Sequence, residues 1–283
     1  MILAGMGAQT RITERGLAAL VTRRPSSRIP QRLLGAGPVE LWLVKITEDG
    51  PLGLRAARAR LGAEASGGRQ RIENRRRTLV SQAALARLVA ARMNVDPTNV
   101  AIGHDERGRP MLLDRPALHV SIAHSGEFVA CAVSDRRVGV DIERADRPEA
   151  DDELAARVCT PAERRQLEDT PAGARKRALV RLWARMEAFA KALGVGLALP
   201  FEQLDVCHDA PLIVGARSGA LRVRDVEGGP DGYVAAVATE GCGYRVRGYL
   251  VVDDAARPVT TRPTSAPAPN RPAAVRQRSA NPS

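Results

Sequence analysis

Aromatic side chains are scarce in this chain. Two Trp, three Tyr and three Phe make up 3% of its 283 residues. A core must therefore be assembled mainly from Ala, Val and Leu, and the 44% hydrophobic content supplies enough of them. Cysteine is also rare. The four, at 131, 159, 207 and 242, form no CxxC pair and no disulfide framework, so they read as reduced core residues of a cytosolic protein. No apolar run reaches the roughly eighteen residues of a transmembrane helix. The first residues lack a basic stretch followed by a long apolar one, so no signal peptide is expected. A cytoplasmic, membrane-free protein is the default expectation.

Acidic residues are missing from one stretch altogether. Residues 255–283 carry five Arg and no acid, and residues 1–38 carry six Arg against one Glu, so each end holds +5. Of the net charge of +11, only about +1 remains for residues 39–254. The basic balance belongs to the ends. With no interleaving of aromatic and basic residues in the middle, a nucleic-acid partner is not expected.

Composition and periodicity divide the chain. Residues 1–38, with Arg-Arg-Pro-Ser-Ser-Arg-Ile-Pro, read as an irregular basic extension with a short helix expected at 15–21. Residues 253–283, with six prolines from 255 onward, read as a disordered Pro/Arg-rich tail. Between them we expect strands at 39–46, 100–103, 118–122, 128–134, 138–143, 204–207, 221–226, 233–239 and 244–252. Helices are expected at 52–64, at 78–93 behind a basic segment 69–77, and at 174–193. Acidic residues 149–153 open a further helical stretch, and Thr160-Pro161-Ala162-Glu163 reads as a helix start with a capping box. Gly194-Val195-Gly196 ends the long helix. The order supports an α+β protein of two αβ halves, 39–140 and 141–252.

The long helix carries the first chemical signal, Trp183-Ala-Arg-Met-Glu187-Ala-Phe-Ala-Lys191. Leu179, Leu182, Trp183, Met186, Ala190 and Leu193 form one apolar stripe, with Arg177, Arg181 and Arg185 on the opposite, solvated side. Glu187 and Lys191 share a shoulder, where the plain reading is a surface ion pair. The second signal is Val138-Gly-Val-Asp141-Ile-Glu143. Strand alternation sends Val138, Val140 and Ile142 into the core and puts Gly139, Asp141 and Glu143 on the other face. Two carboxylates on one strand face are either a solvated strand end or half of a hard-cation site of the Mg²⁺ type. The third signal is His119-Val-Ser121-Ile-Ala123-His124-Ser125-Gly126, where turn amides, a hydroxyl and an imidazole together suit phosphate oxygens. The fourth is Arg107-Gly108-Arg109-Pro110, with Arg75-Arg76-Arg77-Thr78 upstream. Guanidinium forks match phosphates, although such charge runs also serve solubility.

In this order the pieces resemble the 4′-phosphopantetheinyl transferase superfamily, most closely its larger, surfactin-synthetase-activating (Sfp-like) type. The likeness spans roughly residues 39–250 and is strongest from 118 to 196. It implies a fold of two similar αβ halves related by a pseudo-twofold, with coenzyme A in the cleft between them. It also implies an activity: the 4′-phosphopantetheine arm of coenzyme A, the co-substrate, moves to a serine hydroxyl of an apo acyl or peptidyl carrier protein, and adenosine 3′,5′-bisphosphate leaves. By position, Asp141, Glu143 and Glu187 are the implied Mg²⁺ ligands. Glu187 is also implied to take the serine proton, Lys191 and His124 to meet the diphosphate, and Arg77, Thr78 and Arg109 to hold the nucleotide end. A monomer is implied as well. The sequence departs from the pattern at Met186, where many members carry Lys, and at Ser121 and Ala123, which replace Asn and Ser. A homologue that only binds coenzyme A or a carrier domain is the alternative reading of those departures.

Overall fold

The structure is a computed structural model that describes residues 37–46, 69–148, 150, 152–196, 201, 204–206, 221–241, 244–252 and 255–262. The expected helices at 15–21 and 52–64 lie outside these. Strand β1, Val39–Lys45, is followed by the 25-residue helix α1, Arg69–Met93. The basic segment 69–77 is thus the first part of the helix and not a lead into it, in keeping with the good helix propensity of Arg and Gln. Asn94 ends α1 in the left-handed region (φ 53°), which Asn tolerates. Asp96 then caps a single 3-10 turn, Pro97–Asn99, by accepting from the Thr98 amide at 2.7 Å. Strands β2, Ile102–His104, and β3, Pro110–Leu112, form a small hairpin around Arg107-Gly108-Arg109. Three-residue β3, opening on a proline, gave no strand pattern to read.

Strands β4, His119–Ser125, β5, Phe128–Ser134, and β6, Val138–Arg144, follow in close succession. Helices α2, Asp152–Val158, and α3, Pro161–Glu168, precede the 22-residue helix α4, Ala172–Leu193. The capping box at α3 forms as the sequence indicates: Thr160 Oγ1 accepts from the Glu163 amide at 3.2 Å, and Glu163 Oε2 accepts from the Thr160 amide at 2.8 Å. Gly194, at φ 73°, closes α4. The chain continues as β7, Leu221–Glu227, β8, Tyr233–Glu240, β9, Val246–Val252, and β10, Ala255–Arg262. Residues 204–206 adopt no strand.

All strands but β2 and β3 join one eight-stranded sheet of order β4-β5-β1-β9-β10-β7-β8-β6. Among the described residues only the β1–β9 pair is parallel. The sheet doubles over, and strand alternation reveals the layering. Trp42 and Val44 pack with Val80, Leu85, Leu88 and Val89 beneath α1. Leu41 and Leu43, from the other face of β1, meet Val140, Ile142 and Val237 in an inter-sheet core. Ala236 and Ala238, from the far face of β8, pack against Ala184, Ala188 and Phe189 of α4. The order is helix, sheet, sheet, helix. Small apolar residues fill it, as the shortage of aromatics requires.

Two expectations fail in instructive ways. The tail expected from 253 onward is ordered over β10, which pairs with β9 through 255–259 and with β7 through 260–262. It bridges the two parts of the sheet. Proline and arginine content hid this, yet Val259 is buried and fills a slot over Gly248, where a Cβ would crowd it. Arg185 was expected in solvent and is instead 0% exposed. Its guanidinium donates to the Val206 and Val223 carbonyls and to Asp225 Oδ1 at 3.1 Å. Helical periodicity alone could not show that β7 would cover that face.

Candidate active site

Helix α4 reaches β6 at one glycine. A Cβ on Gly139 would overlap the Ala188 carbonyl oxygen and the Ala192 nitrogen, so the helix backbone rests directly on the strand. Gly139 has no side chain to hold the two elements apart. Its task is to admit the helix. This contact brings the shoulder of α4 over the carboxylate face of β6, and a cleft of about 430 Å³ opens there. Helix α1 contributes Thr78, Ser81 and Gln82, and the β2–β3 hairpin contributes His104, Gly108 and Pro110. His124 enters from β4, Asp141 and Glu143 from β6, Arg147 from the loop beyond, and Trp183, Glu187 and Lys191 from α4.

Lys191 lies between two carboxylates. Its Nζ is 2.6 Å from Asp141 Oδ1 and 3.8 Å from Glu187 Oε2. The expected Glu187–Lys191 pair is present, but the tighter contact is to β6. Asp141 is 4% exposed, and its second oxygen, Oδ2, is buried without a hydrogen-bond partner among the described residues. Burial pushes the Asp141 carboxyl up to about 7, against the pull of Lys191 and with further upward pressure from Glu143 and Glu187. Burial also raises Glu187, and Lys191 again opposes it. For Lys191 burial works downward, yet Asp141 and then Glu187 outweigh it and leave the ammonium above its ordinary range.

Glu143 is held at both oxygens. Oε1 accepts from Trp183 Nε1 at 3.0 Å and from Arg147 Nη1 at 2.8 Å, and Oε2 accepts from Ser125 Oγ at 2.8 Å. The Arg147 guanidinium also lies 5.5 Å from the Trp183 ring centroid. His124 is held below its ordinary range by desolvation first and then by Arg77 and Lys191, which favours its neutral ring. Among the described residues no three His, Cys, Asp or Glu side chains form a ready-made metal centre. The Lys191 ammonium occupies the ground between Asp141 and Glu187.

Of the residues singled out from sequence, Thr78, His124, Asp141, Glu143, Glu187 and Lys191 line this one cleft. Arg77 is half-buried on α1, near enough to His124 to influence its titration. Arg109 does not line the cleft. It pairs with Asp105 at 3.2 Å and lies against Gly194, while Arg107 donates to the Gly194 carbonyl at 2.9 Å. The hairpin turn is thereby fastened to the C-terminus of α4, where guanidiniums meet the negative end of the helix dipole. Met186 is fully buried among Leu154, Val158, Leu179 and Leu182, away from the cleft. The Ser125 hydroxyl, expected near phosphate, is engaged with Glu143. Arg147 was missed because nothing in Asp146-Arg147-Pro148 marks it as facing inward.

The sequence model of the 4′-phosphopantetheinyl transferase superfamily matches residues 137–238, the stretch that supplies β6 and α4. The 4′-phosphopantetheinyl transferase HetI of Nostoc sp. (strain PCC 7120) is 31% identical over 182 residues, which cover 61% of this chain and 74% of HetI. The chain belongs to the 4′-phosphopantetheinyl transferase superfamily. Two Bacillus subtilis members are also similar over 134 residues: a 4′-phosphopantetheinyl transferase at 31% identity, and Sfp at 28%. In each case the match covers 47% of this chain and spans 59% of the relative's length. The Sfp-like resemblance of the motifs and the overall likeness to known superfamily members therefore agree.

Proposed function

We propose that this chain transfers the 4′-phosphopantetheine arm of coenzyme A to a serine hydroxyl of an apo acyl or peptidyl carrier protein, releasing adenosine 3′,5′-bisphosphate in a Mg²⁺-dependent reaction. The observation that carries the reading is the convergence of Asp141, Glu143, Glu187, Lys191 and His124 on one cleft. We also read the fold as two similar halves related by a pseudo-twofold. Strand β1, α1 and the β4–β5 hairpin match β6, α4 and the β7–β8 hairpin, with strand orders β4-β5-β1 and β7-β8-β6 in support.

The donor set suits Mg²⁺. Asp141, Glu143 and Glu187 offer hard oxygens, and the buried Asp141 Oδ2 has no hydrogen-bond partner among the described residues. These three would hold the ion once Lys191 withdraws from Asp141 toward the substrate. When bound, the ion stabilises negative charge on the diphosphate oxygens. Lys191 then binds a diphosphate oxygen directly, and neutral His124 donates a hydrogen bond to another. Arg77 and Thr78 hold the nucleotide end from α1. Arg109 would join them only by leaving Asp105. Glu187, whose carboxyl is raised by burial, takes the proton of the carrier serine, directly or through one water. The walls formed by α1 and the hairpin limit water around the reacting phosphorus.

The binding-only alternative rests on Met186 and Ala123. Met186 lies outside the cleft, and Ala123, which lines the cleft and also packs into the inter-sheet core, stands in place of an uncharged residue, so neither substitution removes a charged group from the site. We read the protein as a monomer of the cytoplasm without nucleic-acid or membrane partners. No helix of the described residues is long and apolar enough to cross a membrane.

The test is intact-mass analysis of a panel of apo acyl and peptidyl carrier proteins incubated with the protein, coenzyme A and Mg²⁺. The expected result is a phosphopantetheine mass gain on at least one carrier. No gain on any, beside a working transferase control, would overturn the proposal.

A further inference from the structure

The two ends of the sheet, β4 and β6, lie side by side but do not pair as strands. Serine side chains join them. Alternation along β4 turns residues 121, 123 and 125 toward β6. Ser121 Oγ accepts from the Val140 amide at 3.0 Å, and Ser125 Oγ accepts from the Arg144 amide at 3.1 Å. Each hydroxyl replaces a ladder carbonyl at an edge that would otherwise leave amides unmet.

Ser125 differs from Ser121 in one respect. Its hydroxyl proton goes to Glu143 Oε2 at 2.8 Å, so donor and acceptor capacity are both used across the seam. The backbone that carries it is fixed. Gly126 has φ 52° and no space for a Cβ beneath the Tyr233 hydroxyl, which accepts from the Glu127 amide at 3.1 Å. A glutamate has three rotatable side-chain torsions. Trp183 and Arg147 hold only Oε1 of Glu143, so without Ser125 the carboxylate pivots about that atom.

We infer that Ser125 is a positioning residue that aims the Glu143 carboxylate into the cleft, tying the strand that presents His124 to the strand that presents Asp141. This deepens the proposed function and rests on it, since it concerns the placing of a carboxylate for Mg²⁺ and diphosphate. Hydrogen-bond partners of metal-ligating carboxylates commonly govern affinity or activity by about 10–100-fold.

Ser121 supplies the control, because Ser121→Ala removes an equivalent amide contact without touching Glu143. Full-length wild type, Ser121→Ala, Ser125→Ala and Ser125→Thr would be compared by the Mg²⁺ concentration that half-saturates the thermal shift, and by kcat and KM for transfer. We expect both alanine variants to melt lower by similar amounts. Ser125→Ala alone should raise the Mg²⁺ midpoint by about tenfold and lower kcat with little change in KM for the carrier protein. Ser125→Thr, which keeps the hydroxyl, should restore both. An active wild type with Ser125→Ala indistinguishable from Ser121→Ala in midpoint and kcat overturns this inference alone. A wild type that neither transfers nor responds to Mg²⁺ overturns the proposed function, and this inference with it.

Discussion

Asp141 Oδ1 and Lys191 Nζ lie 2.6 Å apart, joining residues fifty positions apart in the chain across the contact between β6 and α4. The ammonium offsets a carboxylate that burial would otherwise keep protonated. Under the proposed function, a cation and a diphosphate would rearrange this pair.

That relationship sets a pH dependence. The folded Asp141 carboxyl titrates at about 7 against an ordinary value of 3.8, so between those values the folded state binds more protons than the unfolded. Stability contributed at this site falls as pH rises through the window and levels off above it. The melting temperature without divalent ions should therefore decline from pH 5 to pH 8 by more in wild type than in Asp141→Asn. Mg²⁺ should restore the wild type and leave the variant unchanged. Parallel profiles for the two proteins would contradict the assignment.

The helix–strand contact at Gly139 predicts a steep steric penalty. Gly139→Ala places a methyl group into the backbone of α4, and relief requires the whole helix to lift. A loss of about 3 kcal/mol or more is expected in denaturant unfolding, with lost transfer activity because Glu187 and Lys191 move with the helix. Gly173→Ala is the counter-test. It is exposed near the start of α4 with nothing within 4 Å, and should stabilise by up to about 1 kcal/mol.

Buried Arg185 predicts a second large effect. Arg185→Ala leaves Asp225 with Arg181 alone among the described residues and removes the donor to two carbonyls. We expect about 3–5 kcal/mol of destabilisation, the range for breaking a buried charge network from one side. Because Glu163 Oε1 accepts from the Val206 amide at 3.0 Å, protection of that amide from hydrogen exchange should fall as well. Unchanged unfolding midpoints would show that the network is dispensable.

Ending the chain at residue 254 removes β10 from between β9 and β7 and uncovers the slot filled by Val259. The melting temperature should drop by on the order of 10 °C, from lost apolar burial and two opened strand edges. An unaltered melting temperature would return these residues to the role of a tail.

Much of this arrangement was legible because it depends on local pattern. Alternation in 138–143 separated Val138, Val140 and Ile142 from Asp141 and Glu143, and the structure keeps that division. The Thr160 capping box and the Gly194 stop are equally local. What escaped reading depends on contacts between distant segments. Arg185 looked solvated because periodicity records a helix face and not what later covers it. β10 looked disordered because its proline and arginines conceal an alternation resolved only by pairing with β9 and β7. Ser125 and Arg147 gained their places from the closure of β4 on β6 and the packing of α4, and neither event has a short-range signature.

The proposed transfer turns on Glu187. The most direct measurement is the intact mass of an apo carrier protein after incubation with coenzyme A, Mg²⁺ and either wild type or Glu187→Gln, with matched folding confirmed by circular dichroism. A phosphopantetheine adduct is expected with wild type and none with the variant over the same interval. Equal adduct formation by both proteins, or none by wild type on any carrier, would contradict it.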